Sequence, residues 1–171
     1  MNPYHYIVAH RKAGYRACAK EKGVWLKGLI VVRKDSPVQR VEDLRGKHVV
    51  FPDPKAFAAA LLTKALLKEQ GIDPERDIRV QYVNSHDSAY LAVQRGLADA
   101  GTGVPRTFRK IGPEVTQDLR ILAETISTPP HAFACHPRLD PHVASRLVHL
   151  MGALEGTEAG RAILGKLGFK G

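Results

Sequence analysis

The chain has 171 residues, 44% hydrophobic and 25% charged, a globular balance with room for one core or two small ones. No window holds the ~18 uninterrupted apolar residues of a membrane-crossing helix. The opening Met1-Asn2-Pro3-Tyr4-His5 lacks the pattern of a signal peptide, so the chain as written is expected to stay in the cytosol. Cys18 and Cys135 are too few and too far apart for a metal motif or a disulfide framework, and read as small apolar residues. The formal charge of +9 is concentrated at the front. There Arg11, Lys12, Arg16, Lys20, Lys22, Lys27, Arg33, Lys34 and Arg40 face only Glu21 and Asp35. No recognition helix, zinc finger or aromatic-rich sheet motif accompanies that charge, so a solvated positive face is favoured over a nucleic-acid site. Such a face draws small anions.

In chain order, Tyr4–Ala9 is a strand end or a helix start. Ala17–Ala19 and Leu26–Arg33 read as strands, and the unbroken run Leu29-Ile30-Val31-Val32 implies burial on both faces. Asp35-Ser36-Pro37 stops the second strand, and Ser36–Leu44 is expected to hold a short helix with Leu44 buried. Lys47–Phe51 is a strand. A helix from about Lys55 to Glu69 has its apolar face at Phe57, Leu61, Leu62, Ala65 and Leu66, and Gly71 ends it. Ile78–Val83 is the next strand, and the helix over Ser85–Gly96 is expected to bury Tyr90, Leu91, Val93 and Leu97. Ala98–Thr102 is a small-residue strand, Pro105–Arg109 a helical turn and Leu119–Thr125 a further strand. From Lys47 onward the order is βαβαβαβ, which marks an α/β fold with a parallel sheet. Thr128-Pro129-Pro130 breaks that series and His131–Cys135 is a short apolar segment. Asp140 caps a helix with Pro141 in its first position and a stripe of Val143, Leu147, Leu150, Met151 and Leu154. Thr157 caps a last helix that ends at Gly168.

The stretch that organises the chain is Val49-Val50-Phe51, which breaks at Pro52-Asp53-Pro54 into the helix beyond Lys55. A strand that delivers the free N–H groups of a helix start to one point makes an anion site. Ile78–Val83 repeats the design, ending in Asn84-Ser85 before His86-Asp87. Two helix starts are therefore expected to face one crevice at the carboxyl ends of neighbouring parallel strands.

Six motifs occur in order: Asn2-Pro3-Tyr4-His5-Tyr6, Gly28 to Pro37, Asp43-Leu44-Arg45-Gly46-Lys47, Phe51-Pro52-Asp53-Pro54, Ser85-His86-Asp87 and Ala98-Asp99-Ala100-Gly101. Together they resemble the phosphate/phosphite/phosphonate solute-binding proteins of ABC importers, of the type 2 periplasmic-binding-protein fold. The resemblance implies two α/β lobes that clamp a ligand. One, a parallel-sheet lobe, is nearly complete at 35–128; part of the other lies at 1–34, with the return crossing and its C-terminal helices at 129–171. It also implies a periplasmic location and an N-terminally truncated chain, short by roughly 80 to 100 residues of the first lobe.

The site follows by resemblance. The family's oxyanion-holding Ser-Thr-Ser run falls on Ala56, Phe57 and Ala58, so the hydroxyls are absent and backbone N–H groups remain. Phe57 is either a core side chain or a wall of the pocket. Ser85 and His86 match the second helix start, where the family's histidine donates to the ligand; Ser85 is a good N-cap in any case. Tyr6 matches a cleft tyrosine. Val104-Pro105-Arg106 stands where an aminoalkyl-binding relative has an acidic residue. This speaks against a ligand ammonium and leaves Arg106 either as a fork for a second anionic group or as a solvent-facing side chain. His131 is a weaker candidate and Asp99 is structural. The histidine pairs lack a carboxylate or Cys to complete a metal set, no cofactor is implied, and no nucleophile–base pair argues for an enzyme.

The reading is a solute-binding component that takes a small anionic ligand and works with an ABC transporter permease. A ligand-sensing module serving a signalling partner is the alternative, and a basic nucleic-acid-binding protein the further one. A half-built lobe would also leave apolar surface open, which points to a homodimer.

Overall fold

The computed structural model describes residues 1–169 and divides into two compact units, Met1–Trp25 with Pro129 onward, and Leu26–Thr128. No helix among the described residues is long and apolar enough to cross a membrane.

The second unit is built on a five-stranded sheet. Its strands are β2 (Leu29–Arg33), β3 (His48–Phe51), β4 (Arg79–Tyr82), β5 (Ala100–Gly103) and β6 (Leu119–Glu124), in spatial order β4-β3-β5-β2-β6. β3 runs parallel to β4 and β5, whereas β2 is antiparallel to both β5 and β6. The four strands read as βαβαβαβ thus share one direction, but the sheet is mixed, because β2 is inserted against them between β5 and β6. The unbroken apolar run of β2 is explained by that central place, since Leu29 to Val32 are all fully buried. Alternate residues feed two buried clusters. Ile30, Val32, Val49 and Phe51 face one side with Leu67, while Leu29, Val31 and Val50 face the other with Tyr90 and Val93.

The helix after β3 departs from the sequence reading. It opens with a π-helical turn, Phe57–Leu62, and continues as α2 (Thr63–Glu69). The extra residue per turn rotates the buried face, so that Ala58, Ala59, Ala60, Thr63 and Leu67 are buried, whereas Ala65 is exposed. α3 (His86–Gln94) buries Ala89, Tyr90 and Val93, but Leu97 lies past its end and is 67% exposed. The expected helix in Ser36–Leu44 is reduced to one 3-10 turn, Val41–Leu44, with Leu44 buried. Short helices α4 (Pro105–Lys110) and α5 (Pro113–Thr116) complete the unit.

The first unit holds α1 (Pro3–Ala13), β1 (Arg16–Lys20), β7 (Ala132–Cys135), α6 (Pro141–Ala153) and α7 (Glu158–Leu167). The ambiguous opening is a helix: Asn2 accepts from the His5 N–H and Gly14 ends it at φ 68°. β1 and β7 form a two-stranded antiparallel sheet with an irregularity at Cys18. Cys18 and Cys135 are joined in a disulfide with Cα atoms 6.3 Å apart, which corrects the reading of them as separate apolar residues. Their 117-residue separation conceals the pairing that brings them together. The caps at Asp140 and Thr157 form as expected. The stripe on α6 is present but uncovered, with no buried residue and Val143, Leu147 and Leu150 exposed.

Candidate functional site

β3 and β4 are neighbours in register, Phe51 opposite Tyr82, and the Val83 N–H donates to the Phe51 carbonyl at 2.9 Å. Both chains therefore leave the sheet from one edge, and each turns into a helix. β5, on the other side of β3, leaves from the same edge toward α4. The chain steps from β3 to β4 on one side and then over to β5 on the other, so the boundary between β3 and β5 is a topological switch point.

After β3, the Asp53 carboxylate accepts the Lys55 N–H at 2.7 Å and the Asp53 carbonyl the Ala56 N–H at 3.1 Å. Ala56 precedes the helix with no side-chain cap, and its carbonyl accepts from both Ala60 and Leu61, at 2.9 and 3.1 Å. The next three N–H groups, of Phe57, Ala58 and Ala59, have no hydrogen-bond partner among the described residues. Ala58 is buried, and Phe57 is half-buried and belongs to neither buried cluster.

After β4, Asn84 takes a left-handed φ of 67° and Ser85 caps α3, accepting the Ser88 N–H at 3.0 Å. The N–H groups of His86 and Asp87 are left without partners among the described residues. The His86 ring is half-buried, and its Nδ1 is buried with no hydrogen-bond partner among the described residues. Burial pushes the His86 pKa below the ordinary histidine value, and the neighbouring Asp87 carboxylate opposes this only in part.

At the third helix start, the Val104 carbonyl accepts from the Tyr90 hydroxyl at 3.1 Å and from Thr107 at 3.2 Å. Arg106 is exposed and enters no salt bridge among the described residues. Asp99 is structural, as expected, its carboxylate accepting the His48 N–H at 2.8 Å.

The structure thus brings Ala56, Phe57, Ala58, Ser85, His86 and Arg106 to one edge of the sheet in the second unit. Tyr6 and His131 belong to the first unit. The Tyr6 hydroxyl accepts the Ala17 N–H at 3.2 Å and so ties α1 to β1. His131 is an exposed residue just before β7, where partial burial of its ring, and then the charge of the amino terminus, lower its pKa.

Sequence reading missed Thr102. It is fully buried, its hydroxyl has no hydrogen-bond partner among the described residues, and it lies opposite Ile30 on the α2 side of the sheet, at the carboxyl end of β5. A lone hydroxyl in the side-chain-poor strand Ala100-Gly101-Thr102-Gly103, beside a switch point, was the available signal. No group of three or more His, Cys, Asp or Glu side chains gathers among the described residues.

Parallel strands ending at helix starts with free N–H groups, in a chain that also holds a separate α/β unit, define the fold of type 2 periplasmic binding proteins. The model of the family of periplasmic substrate-binding proteins of phosphonate ABC transporters matches residues 1–171, and the chain belongs to that family. Among solved structures, the chain is similar to XAC2383 from Xanthomonas citri, bound to ATP, with a TM-score of 0.80 and 20% identity over 94% of this chain and 64% of that one. It is also similar to PhnD1 from Prochlorococcus marinus in complex with methylphosphonate, with a TM-score of 0.76 and 16% identity over 96% and 67% of the two chains. An ATP phosphoribosyltransferase from Desulfosudis oleivorans is 30% identical over 138 residues, 80% of this chain and 42% of that protein. The chain spans under half of that enzyme and less than two thirds of XAC2383. The family itself is one of substrate-binding transport proteins.

Proposed function

We propose that this protein binds a small phosphoryl oxyanion at the carboxyl edge of the β3–β4 pair, as the solute-binding component of an ABC importer, and performs no chemistry on it. The observation that carries the reading is the pair of neighbouring helix starts whose first N–H groups have no internal partner, beside a half-buried histidine. Such groups attract an anion through both hydrogen bonding and the helix dipole. Methylphosphonate and ATP, the ligands of the two similar solved proteins, share a tetrahedral phosphoryl group. With Ala56-Phe57-Ala58 in place of hydroxyl-bearing residues, N–H groups supply most of the contacts here. Val104-Pro105-Arg106 offers no carboxylate to a ligand amine. The partner is a transporter permease and the location the periplasm, in keeping with the Cys18–Cys135 disulfide.

Calorimetric titration with methylphosphonate tests this. Saturable one-site binding that varies little with salt is the expected result. Absence of binding by methylphosphonate and by inorganic phosphate would overturn it, and an affinity for nucleic acid that falls steeply with salt would favour the basic-protein alternative.

A further inference from the structure

The two units are built unequally. Among the described residues, Leu164 is the only buried apolar side chain of the first unit; the others all lie between Leu29 and Leu119, in the second. Neither α1 nor α6 buries a side chain, and Tyr4, Ile7, Phe133, Val143 and Leu147 are exposed. The second unit has a buried cluster on each face of its sheet. Ordering a chain costs conformational entropy at every residue, and apolar burial is what normally offsets it. The first unit has little burial to set against that cost.

The first unit is also assembled from two stretches, one ending at Trp25 and one resuming at Pro129, with the whole of the second unit between them in sequence. They are joined by the pairing of β1 with β7, by reciprocal bonds between Met1 and Ala132, and by the exposed ion pair Lys22–Glu155. Such exposed polar contacts contribute little against water. The Cys18–Cys135 bond differs in kind, because it keeps the two stretches together even when every other contact is lost. The second unit needs no such tie. Leu26 and Thr128, at its two ends, exchange N–H to carbonyl bonds of 2.8 Å each.

We propose that the Cys18–Cys135 bond is a redox switch for the first unit alone. Under oxidising conditions the first unit is folded; under reducing conditions it opens, while the second unit, with the carboxyl edge of β3 and β4, stays folded. The inference stands whether or not that edge binds an oxyanion. The step is thiol–disulfide exchange with a dithiol. One thiolate of the dithiol attacks one protein sulfur, and its second thiolate then displaces that sulfur from the mixed disulfide. The reductant leaves as a cyclic disulfide, and Cys18 and Cys135, having gained two electrons and two protons, are left as thiols. Both cysteines are only partly buried, so a small dithiol can reach them. Synthesised under reducing conditions, the chain keeps its first unit open and closes it where disulfides form.

The test is amide hydrogen exchange of the full chain, read by mass spectrometry on peptides, with and without excess dithiothreitol. On reduction, peptides from 1–25 and 129–169 should exchange about tenfold faster or more, whereas those covering β2, β3 and α3 should change by less than about twofold. Reoxidation with oxidised glutathione should restore the first pattern. Cys18→Ser with Cys135→Ser should show the reduced pattern with or without dithiothreitol, which separates the loss of the bond from any other effect of the reductant. Protection lost equally in both units would make the bond a general tie and overturn the inference. Protection unchanged in the first unit, or failure of iodoacetamide to label both cysteines after dithiothreitol treatment, would overturn it as well.

Discussion

Gly28 passes so close to Ala58 that a Cβ added at residue 28 would lie 2.2 Å from the Ala58 carbonyl oxygen and 2.7 Å from the Thr63 hydroxyl. That hydroxyl already donates to the same carbonyl, at 3.1 Å. The Gly28 backbone cannot retreat, because its N–H donates to the Thr125 hydroxyl at 2.9 Å and its carbonyl accepts from the Thr125 N–H at 3.0 Å. The approach locks the entry to β2 against the π-helical turn whose free N–H groups form the candidate site. Gly28→Ala is therefore expected to cost about 2–3 kcal/mol in urea unfolding. The same variant should weaken methylphosphonate binding by displacing the Ala58 backbone. A loss under about 0.5 kcal/mol would show that the turn yields freely.

Ala56 occupies a cap position with extended backbone, φ −63° and ψ 111°, and offers no side-chain acceptor. Ala56→Ser supplies one to the Ala58 or Ala59 N–H. Helix capping of this kind contributes about 1 kcal/mol, so the midpoint of thermal unfolding should rise by about 2–4 °C. An unchanged midpoint would mean that the π-helical geometry turns those N–H groups away from residue 56.

Tyr90 is fully buried, and its hydroxyl donates to the Val104 carbonyl. Burial pushes its pKa up to about 12. Because the unfolded chain ionises this phenol near pH ~10 and the folded chain does not, folding is favoured in full below about pH 10 and the advantage is lost as pH rises toward 12. The loss attributable to Tyr90 is about 2–3 kcal/mol. Unfolding in urea between about pH 9 and 12 should show it in the parent chain and not in Tyr90→Phe, which at neutral pH costs about 1 kcal/mol for the missing hydrogen bond. Parallel pH profiles for the two proteins would count against it.

Among the described residues the first unit has one sheet, the two-stranded β1–β7 pair, and such a pair is marginal in water unless something else holds it. The Cys18–Cys135 disulfide is such a tie. Cys18→Ser with Cys135→Ser should lower stability by about 2–3 kcal/mol and remove the sensitivity of thermal unfolding to dithiothreitol. Equal midpoints for the parent with and without reductant would show that the tie contributes nothing.

Much of this molecule was written locally. The strand-to-helix turns at Phe51-Pro52-Asp53-Pro54 and at Asn84-Ser85, and the caps at Ser85, Asp140 and Thr157, depend on contacts within a few residues, and each forms where the sequence puts it. The order of strands and helices from Lys47 onward was legible for the same reason, since β-branched runs and helical stripes are short-range patterns. That order, together with right-handed crossovers, already brings two helix starts to one edge.

Tertiary structure decided what depends on partners far away in sequence. β2 could be seen to be buried, but its antiparallel place between β5 and β6 is set by pairing with strands 70 to 95 positions later. The buried face of the helix after β3 was misread because periodicity assumes 3.6 residues per turn, whereas packing against Gly28 accompanies a wider turn at Phe57–Leu62. The joining of Cys18 to Cys135 and the isolation of the Thr102 hydroxyl and His86 Nδ1 are likewise products of the assembled fold. Local sequence specifies which groups a chain presents, but solvent exclusion, which decides whether those groups find partners, exists only once distant segments have packed.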